Sequence, residues 1–340
     1  MTLMTTTLDN LFKYQDLDQK IKLVEKILSK NLENDLLSKT LMPLIKAKSK
    51  HLRPFLMLLV GASQNILEAA SAVEMLHIAS LIHDDIMDEA NERRGVSTIN
   101  KLYGDEQAIL AGDYLLTKAL IKISEFGFGI NTILMQTFLK LCQGQSLELK
   151  DNFNLNRTKK RYLETIQLKT AELFGGALEI AAHLNNYTER DVQKYREFGL
   201  NFGLMFQIMD DLSDYFSSEA ILSKPTFNDL KEGNYSYPIL ILLEDAPKDM
   251  SRYLKNPNRF KQNIIDLLVK TSAINKSLIL VQEFMIKSQK SLYELSSKNP
   301  NLDYLINFPS NYLNWSVDNL FLEEYKNYFK KLFKDLDVGI

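Results

Sequence analysis

The sequence predicts an all-α protein. Apolar residues recur with helical spacing along nearly the whole chain, no convincing alternating strand series is present, and only 13 glycines and 8 prolines interrupt the 340 residues. The spacing predicts helices over 11–28, 36–46, 54–62, 69–89, 106–126, 131–150, 159–184, 189–215, 236–243 and 261–296.

Polar connectors are expected at 91–103, 151–158, 216–235 and 245–258. The third of these directly follows an acidic cluster, where a loop is suited to close over a bound anion. The last segment, 311–336, is rich in aromatics and lysine. We expect an extra helix packed on the body, with a peripheral contact to a membrane as the alternative.

The composition predicts a large soluble helical body. Apolar residues make up 45% of the chain and the net charge is -2, with both signs interspersed, which argues against a nucleic-acid surface. No linker-like stretch divides the chain, so we expect one domain over 1–340, with a core at about 20–300 and a C-terminal helical extension at about 305–340.

Cysteine usage and the apolar stretches bear on the compartment. Cys142 is the only cysteine, which excludes an intrachain disulfide or cysteine-ligated zinc and suits a reducing environment. The N-terminal residues lack a basic segment followed by an apolar run, so no signal peptide is predicted. Apolar stretches such as 55–62 are too short to cross a bilayer. A cytoplasmic protein is expected.

Two acidic clusters are the most informative motifs: Asp84-Asp85-Ile-Met-Asp88 and Asp210-Asp211-Leu-Ser-Asp214. Each follows an apolar run, and carboxylates four apart share one helical face, where they repel by a few tenths of a kcal/mol per pair. Mg²⁺ offsets that repulsion, because it takes one or two carboxylates and leaves positions for phosphate oxygens. A solvated acidic face is the alternative for either cluster alone. Calcium fits less well, since neither has an EF-hand loop.

Basic residues follow and precede the first cluster. Arg93 and Arg94 come about one turn after Asp88, where forked guanidiniums can engage phosphate. Lys50 and Arg53 precede a helix that starts at a proline, and His77 lies on nearly the same helical face as Asp84. Singly, each is more often a surface charge or a core histidine, and their convergence is what indicates a diphosphate site.

These residues resemble a known family, the trans-isoprenyl diphosphate synthases or polyprenyl synthetases, over about 20–300. HDDIMDEANERRG and FQIMDDLSDYF resemble its two aspartate-rich motifs, and SKHLRP resembles its GKRLRP segment. Lys169-Thr170 resembles the KT pair, Gln207 the FQ glutamine, and SKPTFNDLKEGNYSYP the KPxGxDLxEGKxTxP stretch.

The resemblance implies an isoprenoid synthase-type helical bundle around a central catalytic cavity faced by both clusters, and a homodimer. It implies a Mg²⁺-dependent transferase that joins isopentenyl diphosphate to an allylic diphosphate such as farnesyl or geranylgeranyl diphosphate. The implied magnesium ligands are Asp84, Asp88 and Asp210, supported by Asp85, Asp211 and Asp214. The implied allylic diphosphate partners are Arg93, Lys169 and Lys224, and the implied isopentenyl diphosphate partners are Lys50, Arg53, His77 and Arg94. Thr170 and Gln207 would stabilise the allylic cation by their dipoles.

Product length is expected to depend on side chains upstream of Asp84. Ser80 and Ala79, four and five positions before it, are small, whereas short-chain members of the family tend to have aromatics there. An all-trans product from about geranylgeranyl to octaprenyl is predicted, with hexaprenyl to octaprenyl favoured. Such chains typically become quinone side chains, and a membrane contact would serve product release.

Four positions depart from the family pattern: His51 stands at a usual arginine, Phe227 at a glycine, Gln145 at a usual acidic residue after Gly144, and Asn234 at a lysine. Other functions therefore stay open. The chain is alternatively a non-elongating or regulatory subunit of a heteromeric synthase, or a short-chain geranylgeranyl or farnesyl diphosphate synthase. A terpene cyclase is disfavoured, since it needs neither an isopentenyl diphosphate site nor a second DDxxD motif.

Overall fold

The structure is a computed structural model that describes residues 11, 14, 16–33, 36–47, 49–222, 226–296 and 298–336. Within these ranges it is all-α, apart from one hairpin. The helices of the first part are α1 (Leu17–Lys30), α2 (Ser38–Ile45), α3 (Leu52–Val60), α4 (Gln64–Met87), α5 (Ile99–Tyr103), α6 (Asp105–Ser124) and α7 (Phe128–Asp151). The hairpin pairs β1 (Glu92–Arg93) with β2 (Val96–Ser97).

The remaining helices include one π-helical segment, Gln167–Ala171, between α8 (Lys159–Ile166) and α9 (Glu172–Leu184). They continue as α10 (Glu189–Phe216), α11 (Glu219–Leu222), α12 (Asn228–Lys231), α13 (Tyr237–Asp245), α14 (Pro247–Tyr253), α15 (Lys261–Lys270), α16 (Ala273–Leu292), α17 (Leu302–Leu320) and α18 (Glu323–Asp335).

Contacts divide the chain into two compact units. The first comprises 1–138, 175–196 and 295–305, and the second comprises 139–174, 197–294 and 306–340.

The first unit is built on α4. This helix packs against α1, α3 and α6. The face of α6 that is buried carries small residues, among them Ala108, Ala111, Gly112 and Ala119. Small side chains let the two helices approach closely, and a Cβ at Gly112 would overlap with the ring of His83. The end of α4 that bears the first acidic cluster is thereby fixed by tight helix packing.

Among the described residues, one helix, α4, is long and apolar enough by length and composition to cross a membrane. From the sequence, no apolar stretch is predicted to be long enough for this. However, 72% of its most apolar window is buried inside the protein. A helix that is apolar on all sides and enclosed by neighbours is a core helix.

The second unit contains an aromatic core. Phe202 of α10 packs against Phe174 and against Phe308 and Tyr312 of α17, with ring centroids between 5.3 and 5.6 Å apart. In α18, Phe329 is fully buried and packs on Phe216 at a centroid distance of 5.3 Å. The segment 311–336, predicted as one extra helix, instead holds the end of α17 and all of α18, and the apolar face of α18 is buried against the end of α10.

Several predicted elements differ in detail. The connectors at 216–235 and 245–258 contain short helices, α11 and α12 in the first and α14 in the second. The segment predicted as one helix over 159–184 contains the π-helical segment, and the one over 261–296 is broken after Lys270, where Thr271 is extended. The connector at 91–103 contains the hairpin and α5. Apolar spacing locates helices well, but it does not detect a π-helical turn or a two-residue strand.

Candidate active site

The first acidic cluster lies at the carboxyl end of α4. The helix ends at Met87, and the backbone N–H of Asp88 donates to the carbonyl oxygen of Asp84 at 2.9 Å. Asp84 and Asp88 are therefore one helical turn apart, as their spacing predicts. The carboxyl end of a helix carries partial negative charge, so this position favours a bound cation.

The three carboxylates of this cluster have different surroundings. Asp88 is exposed and Asp84 is half-buried, whereas Asp85 is only 2% exposed. Nε of Arg93 donates to Oδ1 of Asp85 at 2.6 Å. Burial raises the pKa of Asp85, and the charge and hydrogen bond of Arg93 oppose that rise. The protein itself holds Asp85, while Asp84 and Asp88 reach solvent.

The hairpin directs the two arginines that follow the cluster. Its turn residues Arg94 and Gly95 have φ of 54° and 77°. A two-residue type I′ turn requires positive φ at both positions, which glycine adopts freely and arginine at some cost. Arg93 in β1 faces Asp85, while Arg94 lies in the turn, so the two guanidiniums lie in different surroundings.

A buried carboxylate, Glu74 of α4, organises the basic residues of this unit. It is 1% exposed. It lies close enough to Arg53 and Arg94 for its negative charge to raise the pKa of both guanidiniums. Burial lowers the pKa of Arg53 to about 10, with Glu74 opposing. Burial and the charge of Arg53 lower the pKa of His77 well below its usual value, so that its ring is neutral near pH 7. Arg53, His77 and Arg94 are thus brought together, and Lys50 lies half-buried three residues before Arg53.

His51 connects this buried carboxylate to α1. Nδ1 of His51 lies 3.0 Å from Oε1 of Glu74, and Nε2 lies 3.1 Å from Oε1 of Glu25. Burial alone would lower the pKa of His51, but the two carboxylates outweigh it and raise the pKa to about 9. At the position where the family usually has arginine, His51 is therefore also a cation.

The second acidic cluster lies near the end of α10. Asp210 is half-buried, whereas Asp211 and Asp214 are 5% and 1% exposed. Asp210 and Asp214 share a helical face by their spacing, but Asp210 is the member of the cluster that is open to solvent. Both clusters therefore combine at least one enclosed carboxylate with at least one that reaches solvent.

Hydrogen bonds connect Asp211 to the predicted polar residues of this unit. Tyr162 donates to Oδ2 of Asp211 at 2.6 Å, and Nε2 of Gln207 donates to Oδ1 at 2.8 Å. Oγ1 of Thr170 donates to Oε1 of Gln207 at 2.7 Å. Burial raises the pKa of Asp211, and the hydrogen bonds from Tyr162 and Gln207 oppose this. Thr170 and Gln207 are thereby fixed in orientation.

Lys169 and Thr170 lie in the π-helical segment, a rare conformation that often marks functional sites. Two glycines let neighbouring helices approach it. A Cβ at Gly144 would lie 2.8 Å from Cα of Lys169, and one at Gly203 would lie 2.6 Å from Cα of Ala171. The segment is therefore clamped between α7 and α10, and side chains at either glycine would displace it.

The ammonium group of Lys169 is held by Glu148. Nζ of Lys169 donates to Oε1 of Glu148 at 2.5 Å. The other carboxylate oxygen of Glu148 accepts from Nδ2 of Asn234 at 3.2 Å, and Oδ1 of Asn234 accepts from Nη1 of Arg157 at 2.6 Å. A lysine is expected at position 234, and an amide between two charged groups stands there instead.

The backbone conformation of Phe227 is one that glycine adopts easily, which accounts for the glycine of the family pattern at this position. Its φ of 63° and ψ of 24° are left-handed, which costs a non-glycine residue energy. The ring is fully buried against Tyr215, and Nζ of Lys261 lies 4.8 Å from its centroid. Burial of the aromatic ring offsets the backbone strain. Lys224, predicted in the same connector, lies outside the described residues.

The predicted site residues fall into two groups. The first unit holds Asp84, Asp85, Asp88, Lys50, Arg53, His77, Arg93 and Arg94, and the second holds Lys169, Thr170, Gln207, Asp210, Asp211 and Asp214. Over the described ranges, no three carboxylate, imidazole or thiol groups converge to hold a metal by themselves. Mg²⁺ needs only one or two carboxylates when water and phosphate complete its shell, so the aspartates fit that ion.

Sequence reasoning missed three residues that support this site: Glu74, Tyr162 and Glu148. Glu74 interrupts an otherwise apolar stretch of a buried helix, and this is a signal that sequence alone offers. Tyr162 and Glu148 lie at ordinary helical positions, and their partners are distant in sequence. Only the folded chain reveals their contacts.

Comparison with known proteins places these features in context. The polyprenyl synthetase family model matches residues 34–270. Heptaprenyl diphosphate synthase component 2 of Bacillus subtilis (strain 168) is 31% identical over 293 residues, which cover 83% of this chain and 84% of that protein. Geranylgeranyl diphosphate synthase of Saccharolobus solfataricus is 34% identical over 224 residues, covering 62% and 68% of the two chains.

A solved structure is similar over nearly the same extent. The polyprenyl synthase of Caulobacter crescentus CB15, complexed with calcium and isoprenyl diphosphate, superposes with a TM-score of 0.80 at 26% identity. The match covers 89% of this chain and 96% of that one. Both acidic clusters lie inside the range that the family model matches.

Proposed function

Because the chain belongs to the polyprenyl synthetase family, we propose that it is a Mg²⁺-dependent prenyltransferase that extends an allylic diphosphate with isopentenyl diphosphate. The observation that carries this proposal is the contrast within each acidic cluster. Asp85 is enclosed and accepts a hydrogen bond from Arg93, and Asp211 is enclosed and accepts hydrogen bonds from Tyr162 and Gln207. Asp84, Asp88 and Asp210 are exposed or half-buried and reach solvent. A carboxylate must reach solvent to bind a hydrated Mg²⁺ ion that also binds the diphosphate of the substrate.

Asp84, Asp88 and Asp210 are the proposed magnesium ligands, with Asp85, Asp211 and Asp214 supporting them. Bound Mg²⁺ would neutralise the charge that develops on the departing diphosphate. The calcium and isoprenyl diphosphate of the Caulobacter structure support a site for a divalent cation and a diphosphate. Asp85 and Asp211 would support these ligands from behind, because their own oxygens stay with protein donors.

The basic residues would divide between the two diphosphates. Arg93, Lys169 and Lys224 are assigned to the allylic diphosphate. Lys50, Arg53, His77 and Arg94 are assigned to isopentenyl diphosphate, where a neutral His77 ring offers a hydrogen bond instead of a charge. Glu74 offsets part of the mutual repulsion between Arg53 and Arg94 in the free protein.

The reaction needs no protein nucleophile. The allylic carbon–oxygen bond breaks, diphosphate leaves with the electron pair, and the double bond of isopentenyl diphosphate attacks the allylic cation. A proton then passes to the released diphosphate, and a 1'-4 trans linkage results. The hydroxyl of Thr170 and the carboxamide of Gln207, both fixed by the Asp211 hydrogen bonds, are oriented dipoles that stabilise positive charge without trapping it.

A medium or long all-trans product, hexaprenyl to octaprenyl, is proposed. The names of the heptaprenyl relatives support it, and the small side chains of Ala79 and Ser80 leave room beyond the first turn upstream of Asp84. The geranylgeranyl diphosphate synthases among the relatives keep a shorter product as the alternative.

A homodimer is proposed on the basis of exposed apolar residues in the first unit. Ile109, Leu110 and Ile121 of α6, with Phe128 and Met135 of α7, are between 47% and 86% exposed. Large apolar side chains in such numbers are typical of an interface.

The second candidate is a heteromeric enzyme, which the "component 2" in the Bacillus name favours. Incorporation of isopentenyl units by the lone chain would exclude a required partner.

The test is incorporation of labelled isopentenyl diphosphate by the purified chain with farnesyl diphosphate, with Mg²⁺ present or chelated. We expect incorporation only with Mg²⁺, and a loss of at least about 100-fold in kcat for Asp84→Asn and for Asp210→Asn. Asp303→Asn, at the start of α17, is the control for loss of one aspartate. Undiminished activity after chelation or in both variants would reject the metal assignment.

A further inference from the structure

Asn234 connects a buried cation to a carboxylate of the candidate site. Its Oδ1 accepts from Nη1 of Arg157 at 2.6 Å, and its Nδ2 donates to Oε2 of Glu148 at 3.2 Å. The other oxygen of Glu148 accepts from Nζ of Lys169 at 2.5 Å. A single hydrogen-bonded chain therefore runs from Arg157 through Asn234 and Glu148 to Lys169, entirely within the second unit.

Arg157 is deeply enclosed, which makes its contact with Asn234 consequential. Its side chain is 1% exposed, and the same Nη1 also donates to the carbonyl oxygen of Tyr235 at 3.0 Å. The guanidinium carbon lies 5.5 Å from the ring centroid of Tyr162. Its Nε lies 3.9 Å from Oδ2 of Asp151. A buried charge is costly unless its donors are satisfied, so the acceptor at position 234 helps to hold Arg157 in place.

The amide of Asn234 satisfies both neighbours at this position. A carboxamide offers an acceptor to Arg157 and a donor to Glu148 at once. A lysine has no acceptor, so its ammonium would face the guanidinium of Arg157. An aliphatic residue of similar size would break both hydrogen bonds.

We propose that Asn234 is a positioning residue for the allylic diphosphate site: by joining Arg157 to Glu148, it fixes the carboxylate that orients the ammonium of Lys169. This inference rests on the proposed function, in which Lys169 binds that diphosphate. Asn234 touches no substrate in this account and acts through Glu148. The departure from lysine at position 234 is then matched by Arg157, which supplies a positive charge to the same network.

The proposed role of Asn234 predicts an effect on the binding of one substrate, the allylic diphosphate, and not on the other. Loss of the amide frees Glu148 to rotate, and Lys169 loses its fixed orientation in the π-helical segment. The apparent KM for the allylic diphosphate should rise. The KM for isopentenyl diphosphate should stay within about twofold, because its assigned partners, Lys50, Arg53, His77 and Arg94, are not members of this network.

The experiment compares Asn234→Leu, Asn234→Lys, Arg157→Gln and the double variant Asn234→Lys/Arg157→Gln. We expect each Asn234 variant to raise the allylic KM by on the order of tenfold. In the double variant the guanidinium is gone and the ammonium of the introduced lysine can donate to Glu148, so the KM should return to within about threefold of the parent. Asn201→Leu and Asn201→Lys, at a half-buried asparagine of α10 whose Nδ2 donates to the carbonyl oxygen of Glu197, are matched controls with no expected effect.

Thermal unfolding of the same variants, with and without inorganic diphosphate and Mg²⁺, separates positioning from stability. Unchanged allylic KM values in both single Asn234 variants would overturn the inference. A fall in unfolding temperature with parallel changes in kcat and both KM values, and no rescue in the double variant, would also overturn it, because it indicates a purely structural role.

The proposed function can fail separately. If the parent chain incorporated no isopentenyl units with any allylic starter, that function would be rejected, and the diphosphate-induced thermal shift would decide the inference alone. A shift in the parent that is smaller in Asn234→Leu supports the positioning role. Equal shifts in the two proteins, including no shift in either, overturn it.

Discussion

The hydroxyl of Tyr162 donates a 2.6 Å hydrogen bond to Oδ2 of Asp211, with Gln207 donating to the other oxygen. Tyr162 is 2% exposed and Asp211 is 5% exposed, so water cannot readily replace either partner. This pair connects the helix before the π-helical segment to the second acidic cluster. It therefore couples the position of Thr170, which binds Gln207, to that of the aspartates.

Removal of this hydroxyl should weaken both stability and catalysis. In Tyr162→Phe, a buried carboxylate oxygen loses a charge-assisted partner, which costs about 1.5–3 kcal/mol in the free energy of unfolding. We expect kcat to fall about 10- to 100-fold, since Asp211 then keeps only the hydrogen bond from Gln207 of these two and holds Gln207 and Thr170 less rigidly. Urea unfolding and initial rates check this. Tyr293→Phe, at an exposed tyrosine, is the control, and equal behaviour of the two variants would contradict the assignment.

Stability should depend on the protonation of His51. Its folded pKa of about 9 lies above the unfolded value of about 6.5, so its contribution is fully present below pH 6.5 and is lost as the pH rises through 9. The contribution is about 3 kcal/mol at most. Urea unfolding between pH 6 and pH 10 should show this decline in the parent.

In His51→Gln the pH dependence over that interval should flatten. His183→Gln, at a half-buried histidine of α9, should keep the parent slope. A parent whose stability does not change between pH 6.5 and pH 9.5 would show that the ion pairs with Glu74 and Glu25 do not form in solution.

The π-helical segment should tolerate no side chain at Gly144. In Gly144→Ala the new methyl group would overlap the backbone of Lys169, so the segment must move. We expect a loss of about 1–3 kcal/mol in stability and a lower kcat. Gly129→Ala, in the first turn of the same helix with open space around it, is the matched control and should be neutral or slightly stabilising. A fully active Gly144→Ala enzyme would show that the position of the segment does not matter.

Product length should respond to bulk upstream of Asp84. Phenylalanine at Ala79, which is 1% exposed, or at the half-buried Ser80 should shorten the longest prenol by one or more isoprene units. Chromatography of dephosphorylated products measures this, and thermal unfolding of Ala79→Phe checks that overpacking has not unfolded the chain. An unchanged distribution in both variants would mean that the growing chain follows another face.

Much of the fold was predictable because helix packing leaves a strong periodic signal. The apolar spacing around Asp84 and Asp210 located the helices that carry them, and the motifs identified the chemistry. The π-helical segment at Lys169 was not predictable, since one inserted residue barely disturbs that periodicity. The left-handed conformation of Phe227 was signalled only indirectly, by a glycine in the family pattern.

The supporting contacts of the site were not predictable from local sequence. Arg157 and Asn234 are 77 residues apart, and Tyr162 and Asp211 are 49 apart, so no short-range pattern joins them. The family pattern indicates only that a lysine is replaced at position 234. The structure instead gives it two charged partners, which only the tertiary contacts reveal.

The most direct test of the central claim is to incubate the purified chain alone with Mg²⁺, labelled isopentenyl diphosphate and farnesyl diphosphate, and to resolve the dephosphorylated products by length. We expect a defined ladder that ends in a hexaprenyl to octaprenyl alcohol and disappears when Mg²⁺ is chelated. No incorporation with any allylic starter would contradict it, and the lone chain would then not be an elongating synthase.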